Sequence, residues 1–221
     1  MNKWLRLIIR FLLGIALVGA LVFIPAGTIR FWNGWLFLTV LTIPMAVSGV
    51  TLMVTAPELL TKRLDTKESD PVQRRIILMT GILFCAAFIC AGIDFRFSWT
   101  RVPLWAVLTA SGVYLAGYGV YVEVIRENAW ISRTVKVESE QRVVDQGLYG
   151  IVRHPMYTAV IVMFPMFGLI LGSWLAFVLL MGIVPLMILR IRAEEETLKK
   201  SLDGYMAYMA KVRYRLFPGL W

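Results

Sequence analysis

The chain is poor in the residues that most enzyme chemistry and most soluble folding rely on. Its 221 residues contain one histidine, His154, and two cysteines, Cys85 and Cys90. A structural zinc site takes about four Cys or His ligands, so this composition argues against one, and no metal ligand is assigned. A disulfide framework is equally unsupported. The two cysteines lie in one apolar run, off a common helix face, and read as small packing residues. Charged residues make up 17% of the chain against 59% hydrophobic, whereas soluble domains hold about a quarter charged and about half apolar. There is no P-loop, no Gly-x-Gly-x-x-Gly after a strand and no Ser/His/Asp arrangement. These absences exclude P-loop phosphoryl transfer and triad hydrolysis. Gly117-Tyr-Gly119 falls inside an apolar run and reads as helix packing rather than nucleotide binding.

What the chain does have is long apolar runs. Six are read as spans, roughly Leu5–Phe23, Phe31–Val54, Ile76–Ile93, Val102–Ile125, Met156–Leu171 and Trp174–Leu189. Backbone groups in lipid must be satisfied internally, so runs of this length predict helices. The fold class is therefore all-α, a polytopic membrane helical bundle with about six transmembrane helices. The first run lacks a small-x-small cleavage site and is followed closely by another span, so it reads as a retained helix. Pro44, Pro165 and Pro185 are expected to bend their helices. The last two spans are joined only by Gly172-Ser173 and predict a hairpin.

Charge sets the expected orientation. Of the 23 basic residues, Arg30, Arg96 and Arg101 fall on one side of a six-span topology and the others on the opposite side. The positive-inside rule then places both termini and the two long connectors in the cytoplasm. The net charge of +9 is so distributed that it suits anionic lipid headgroups rather than nucleic acid. Trp32, Trp35, Trp99, Trp105, Trp174 and Tyr114 near span ends read as aromatic belts. Residues 1–125 are taken as a four-helix N-terminal membrane region, and 126–221 as a C-terminal region of loop, helical hairpin and amphipathic tail.

The connectors are less regular. Asp70-Pro71 precedes the third span, and a short helix is expected around Pro57–Leu64. Thr134-Val-Lys-Val-Glu-Ser-Glu alternates like an extended piece, and Val143 to Tyr149 reads as a turn into a helix. After the last span, Leu198, Leu202, Tyr205 and Tyr208 recur at helical spacing. They predict an amphipathic helix through about Tyr208, for the membrane surface or the bundle.

Two polar clusters interrupt this pattern. Tyr149, Arg153, His154 and Tyr157 lead into the fifth span, with Pro155 at a favoured first helical position. Helix N–H groups and the positive helix end make this a natural anion site, with Arg153 as a carboxylate partner. Arg190-Ile-Arg-Ala-Glu-Glu-Glu196 closes the sixth span, and its carboxylates are expected at a helix C-terminus, where the dipole favours cations. A bound cation or Arg153 would offset that cost. The short hairpin turn makes the clusters neighbours. Together they suit a zwitterionic, amino-acid-like ligand, of which S-adenosylmethionine is one. Methyl transfer needs alignment rather than a covalent nucleophile or a metal.

From Asn128 to Trp221 the chain resembles the membrane-integral isoprenylcysteine carboxyl methyltransferase family and its bacterial relatives, which include phospholipid methyltransferases. The resemblance rests on Gly147-Leu-Tyr149, Arg153-His-Pro-x-Tyr157, Arg190 with Glu194-Glu195, and Gly204-Tyr-x-x-Tyr208 ahead of Pro218. It implies a cytoplasm-facing S-adenosylmethionine pocket at the C-terminal hairpin. Val143, Val144, Tyr149, His154, Pro155, Met156, Tyr157 and one or both of Glu194 and Glu195 would line it, with Arg153 beside them. Arg190 would face the acceptor, and Arg190, Glu194 and Glu195 are the implied catalytic set. The implied acceptor is lipophilic: an isoprenylcysteine-like carboxylate, a lipid amine or a thiol. Gln141 stands where some members have histidine. Two other readings accompany this one, a membrane reductase of sterol-reductase-like architecture using reduced nicotinamide and a non-enzymatic lipid-binding protein.

Overall fold

A computed structural model describes residues 3–57, 59, 60, 68, 70–128, 130 and 141–221. The expected extended piece at Thr134–Glu140 and most of the expected helix around Pro57–Leu64 lie outside them. Among the described residues there is no strand. Helix α1 spans Lys3–Ala26, α2 Trp32–Thr55, α3 Pro71–Phe97 and α4 Leu104–Glu127. A single 3-10 turn, Gly147–Gly150, leads into α5 (Pro155–Ile170), α6 (Trp174–Leu180), α7 (Ile183–Ser201) and α8 (Tyr205–Lys211).

Among the described residues, five helical segments are long and apolar enough to cross a membrane: α1, α2, α3, α4 and the combined α6–α7 stretch Trp174–Ser201. The sixth apolar run is α5, a shorter helix of 16 residues. At 1.5 Å per residue it is about 24 Å long, less than the ~30 Å hydrocarbon layer. The protein is an integral membrane helical bundle. Its outer face carries exposed Leu13, Leu17, Ile24, Val54, Leu78 and Leu108, as a lipid-facing surface must. Its main buried cluster joins Val22 of α1, Phe37 of α2, Phe88 of α3, Tyr114 of α4, Phe167 of α5 and Ile183 of α7.

Lipid tails are as apolar as leucine, so helices in a membrane associate through close packing and polar contacts rather than hydrophobic drive. Phe167 supplies much of the packing, with its ring 5.0 Å from Phe37, 5.2 Å from Tyr114 and 5.5 Å from Phe164. Gly117 does what was expected of it. A β-carbon there would lie 2.5 Å from Met163 Cγ, so the glycine lets α4 and α5 close on each other.

The hairpin turn is built by local rules and then stapled. At the end of α5, Gly172 N–H donates to Leu169 O and Ser173 N–H to Gly168 O, both at 2.9 Å. This is a Schellman ending, and Gly172 takes the left-handed position (φ 77°) that it requires. Ser173 then caps α6, accepting from Ala176 N–H at 3.1 Å. The Ser173 hydroxyl also donates to Asp94, a fully buried carboxylate at the end of α3. Asp94 accepts in addition from the Thr100 N–H at 2.7 Å and from the Thr100 hydroxyl.

Proline acts once as a breaker. α2 and α5 continue through Pro44 and Pro165, whereas the last span divides at Met181-Gly182. Pro185 offers no N–H to the Met181 carbonyl four residues earlier, and that carbonyl accepts from Val184 N–H at 3.0 Å instead. At the start of α3, Asp70 and Pro71 behave as expected. Asp70 Oδ1 accepts from Gln73 N–H at 2.8 Å, and Pro71 opens the helix.

Removing the Asp94 carboxylate strands three donors at the hairpin turn. Asp94→Ala should cost ~3 kcal/mol, measured as a lower midpoint of unfolding in detergent, while Asp94→Asn, which still accepts, should cost less. Equal stability of Asp94→Ala and wild type would remove the staple from the account.

Candidate active site

α5 begins where α7 ends its apolar stretch, because the two helices run antiparallel from the short hairpin turn. Arg153, His154 and Tyr157 therefore meet Arg190, Glu194 and Glu195. His154 occupies the N-cap position of α5, and Pro155 the first turn, where its missing N–H costs nothing.

The contacts form two layers. The inner layer is built on Glu195, only 1% exposed. Arg153 Nε donates to its Oε1 at 2.8 Å and Arg215 Nε to its Oε2 at 2.9 Å. His154 Nε2 lies 3.3 Å from Oε1. Arg153 is itself buried and also donates through Nη1 to the carbonyls of Val212 and Arg213, each at 2.8 Å. The outer layer is a row. Arg190 Nε donates to the Tyr157 hydroxyl at 2.8 Å, and that hydroxyl donates to Glu194 Oε2 at 2.5 Å. The Arg190 guanidinium also lies over the Tyr157 ring, 5.9 Å from its centroid.

Two expectations from sequence are corrected here. The glutamates do not sit at a helix C-terminus. α7 runs on to Ser201 with Lys199 and Lys200 in its last turn, so no dipole conflict arises, and Glu195 is offset by Arg153, His154 and Arg215 together. Just before the first turn of α5, Arg153 N–H donates to Tyr214 O and His154 N–H to Arg215 O, both at 2.9 Å, which ties the entry of the helix to the tail. The tail is not one amphipathic helix through Tyr208. It breaks after Ser201, resumes as α8, and folds back so that the Thr158 hydroxyl reaches Leu216 O at 2.9 Å.

Beside this lies a cleft of about 370 Å³ lined by Glu127 and Val143 to Gly147, within the range of small-ligand sites. Val143 and Val144 are thus in its wall, and Tyr149 follows in the 3-10 turn. Met156 packs with Tyr149, Leu148 and the end of α4. Glu127, which sequence reading passed over, pins the loop by accepting from Leu148 N–H at 2.9 Å. The carboxylate end of Glu127 lies against Gly147, whose φ of 57° is in the left-handed region that favours glycine. Arg215 was likewise unmarked, one basic residue among several in the tail. Gly147 was the local hint of the Glu127 contact.

α8 closes the site from the tail side. Tyr205, Tyr208, Leu202 and Val212 form a buried cluster against Val143 and Leu198. Burial holds both tyrosine hydroxyls above their ordinary range, so both stay protonated. Tyr208 donates to Tyr149 O at 2.8 Å. Lys211 bonds Asp145 at 2.7 Å, and this contact keeps the exposed carboxyl below its usual range.

The inner layer makes a stability prediction that separates the adjacent glutamates. Glu195→Ala leaves buried Arg153 without its counter-charge and should cost ~3–5 kcal/mol. Glu194→Ala removes one hydrogen bond from a half-buried position and should cost about 1 kcal/mol. Thermal unfolding of the two variants in the same detergent gives the comparison, and a reversed order would overturn the layering.

No curated relative matches the chain. Residues 104–203, from the start of α4 past the end of α7, match the model of the phospholipid methyltransferase family, which is the relationship that the motifs from Gly147 to Glu195 pointed to and which implies methyltransferase activity on lipid-like substrates.

Proposed function

We propose that the protein is an S-adenosylmethionine-dependent methyltransferase acting on a lipophilic acceptor at the cytoplasmic face of a bacterial inner membrane. The observation that carries this reading is the division of labour among three consecutive glutamates. Glu195 is buried and taken by Arg153, His154 and Arg215. Glu196 is exposed and pairs with Lys199 at 2.7 Å. Glu194 is half-buried and is held by the Tyr157 hydroxyl rather than neutralised by a salt bridge. A carboxylate kept in that state is suited to a ligand's ammonium group.

The surrounding residues fit such a cofactor. Glu194 would take its ammonium. Val143, Val144, Tyr149 and Met156 would shape the nucleoside side near the cleft. Arg153, His154, Pro155 and Glu195 would fix the α5 entry against which it packs. When bound there, the cofactor's sulfonium supplies an electrophilic methyl group. The chain's own contribution is positioning and electrostatics. Tyr157 holds Glu194 and Arg190 in one row, so the cofactor-binding and acceptor-facing groups share a hinge of hydrogen bonds. Arg190 would orient an anionic acceptor group arriving from the bilayer, and a carboxylate acceptor would need no general base. Acceptors of the isoprenylcysteine carboxylate, lipid amine and lipid thiol classes all meet this description. The basic face around the site would rest on anionic lipid headgroups.

Calorimetric titration of S-adenosylhomocysteine into detergent-purified protein tests the proposal. Wild type should bind in the micromolar range. Glu194→Gln should weaken binding about 10- to 100-fold, the value of a charge-assisted hydrogen bond, without the loss of stability expected at Glu195. No binding by folded wild type would sink the methyltransferase reading, and binding of reduced nicotinamide in its place would favour the reductase.

A further inference from the structure

Among the described residues, two buried side-chain polar atoms have no hydrogen-bond partner: Gln73 Oε1 and the Tyr205 hydroxyl. Buried polar groups are paired as a rule, so each unpaired one calls for an explanation. Both border the same stretch of α7. Gln73 donates through Nε2 to Arg190 O at 3.2 Å, and the charged groups acting on Tyr205 include Glu195, Glu194 and Arg153.

Tyr205 is the more informative of the two, because its neighbour provides a control. Tyr208 lies in the same short helix and the same cluster, with ring centroids 5.8 Å apart. Its hydroxyl reaches a backbone carbonyl, whereas that of Tyr205 reaches nothing. The Tyr205 ring is 4% exposed and packs with Leu202, Val212 and Val143. A phenylalanine would fill the same space without stranding an oxygen, so packing accounts for the ring and not for the hydroxyl. Val143 belongs both to this cluster and to the wall of the cleft, which ties Tyr205 to the space where a ligand would lie. Of the two carboxylates acting on it, Glu195 is saturated by three partners, while Glu194 is held by the Tyr157 hydroxyl, with Arg190 next in the row.

We infer that the Tyr205 hydroxyl is a ligand-binding group of this site, accepting a hydrogen bond from the same ligand ammonium that Glu194 pairs with. The inference rests on the proposed function and extends it to a residue outside the hairpin. Tyr205 thereby adds a recognition element for an α-amino-acid end, and a nucleoside thioether without that end gains nothing from it.

The test compares wild type with Tyr205→Phe in full-length, detergent-purified protein, titrating S-adenosylhomocysteine and, in parallel, 5′-methylthioadenosine, which lacks the amino-acid end. Tyr205→Phe should weaken S-adenosylhomocysteine about five- to thirtyfold and leave methylthioadenosine unchanged. Its thermal midpoint without ligand should be equal to or above that of wild type, because no protein partner is lost. If methylthioadenosine binds too weakly to compare, the double variant with Glu194→Gln decides. Losses smaller than additive indicate one shared ammonium, and additive losses overturn the inference. Unchanged S-adenosylhomocysteine binding, equal weakening of both ligands or a lowered thermal midpoint would also overturn it. Failure of wild type to bind S-adenosylhomocysteine would instead remove the proposed function and this inference together.

Discussion

The site end of this bundle depends on one buried carboxylate. Glu195 lies inside an apolar helix array, where an unpaired charge would cost several kcal/mol. It is tolerated because three residues from two segments supply its partners: Arg153 and His154 before α5, and Arg215 from the tail. Neither of these segments can leave without stranding a charge. That requirement explains why the chain after α8 folds back rather than lying on the membrane, and why its carbonyls end up on the N–H groups of Arg153 and His154. A buried ion cluster of this kind is weak evidence for net stability, but it specifies one arrangement strongly.

With Glu195 committed inward, the neighbouring residues on α7 acquire distinct roles. One step back along the helix, Glu194 turns toward Tyr157 and a half-buried position, and one step forward, Glu196 turns to solvent. Successive residues on a helix differ by about 100° in direction, so a run of like charges is divided among three environments without any special geometry. Tyr157 couples the result to Arg190, four residues before Glu194 on the same face. The side of the site open to a ligand is thus a consequence of what the closed side must satisfy.

The opposite end follows similar logic with different chemistry. Asp94 gathers Thr100 and Ser173 around a buried carboxylate and so anchors the hairpin turn to α3. α5, too short to bridge the hydrocarbon layer unaided, is held by polar groups at both ends and by the aromatic packing around Phe167 between them. In a solvent that gives helices no hydrophobic reason to associate, such polar staples decide which helices are neighbours.

The sequence by itself determined the all-helical membrane architecture, the hairpin, and the encounter of the Arg153–Tyr157 and Arg190–Glu196 clusters. Those features follow from the length of apolar runs and from a two-residue turn, which are properties of the chain in one dimension. It also marked Gly117 as packing and Asp70-Pro71 as a helix start, both of them local. What only the tertiary structure decided is the direction each polar group takes. Arg153 could be read from sequence as a ligand's partner or as the offset for the glutamates, and it faces Glu195, 42 positions away. Glu127 meets Leu148 across 21 positions, Arg215 meets Glu195 across 20, and Asp94 meets Ser173 across 79. No periodicity encodes those pairings. They arise because a buried charge or N–H must find a partner wherever the packed helices bring one within about 3 Å, and that distance exists only after the bundle has closed.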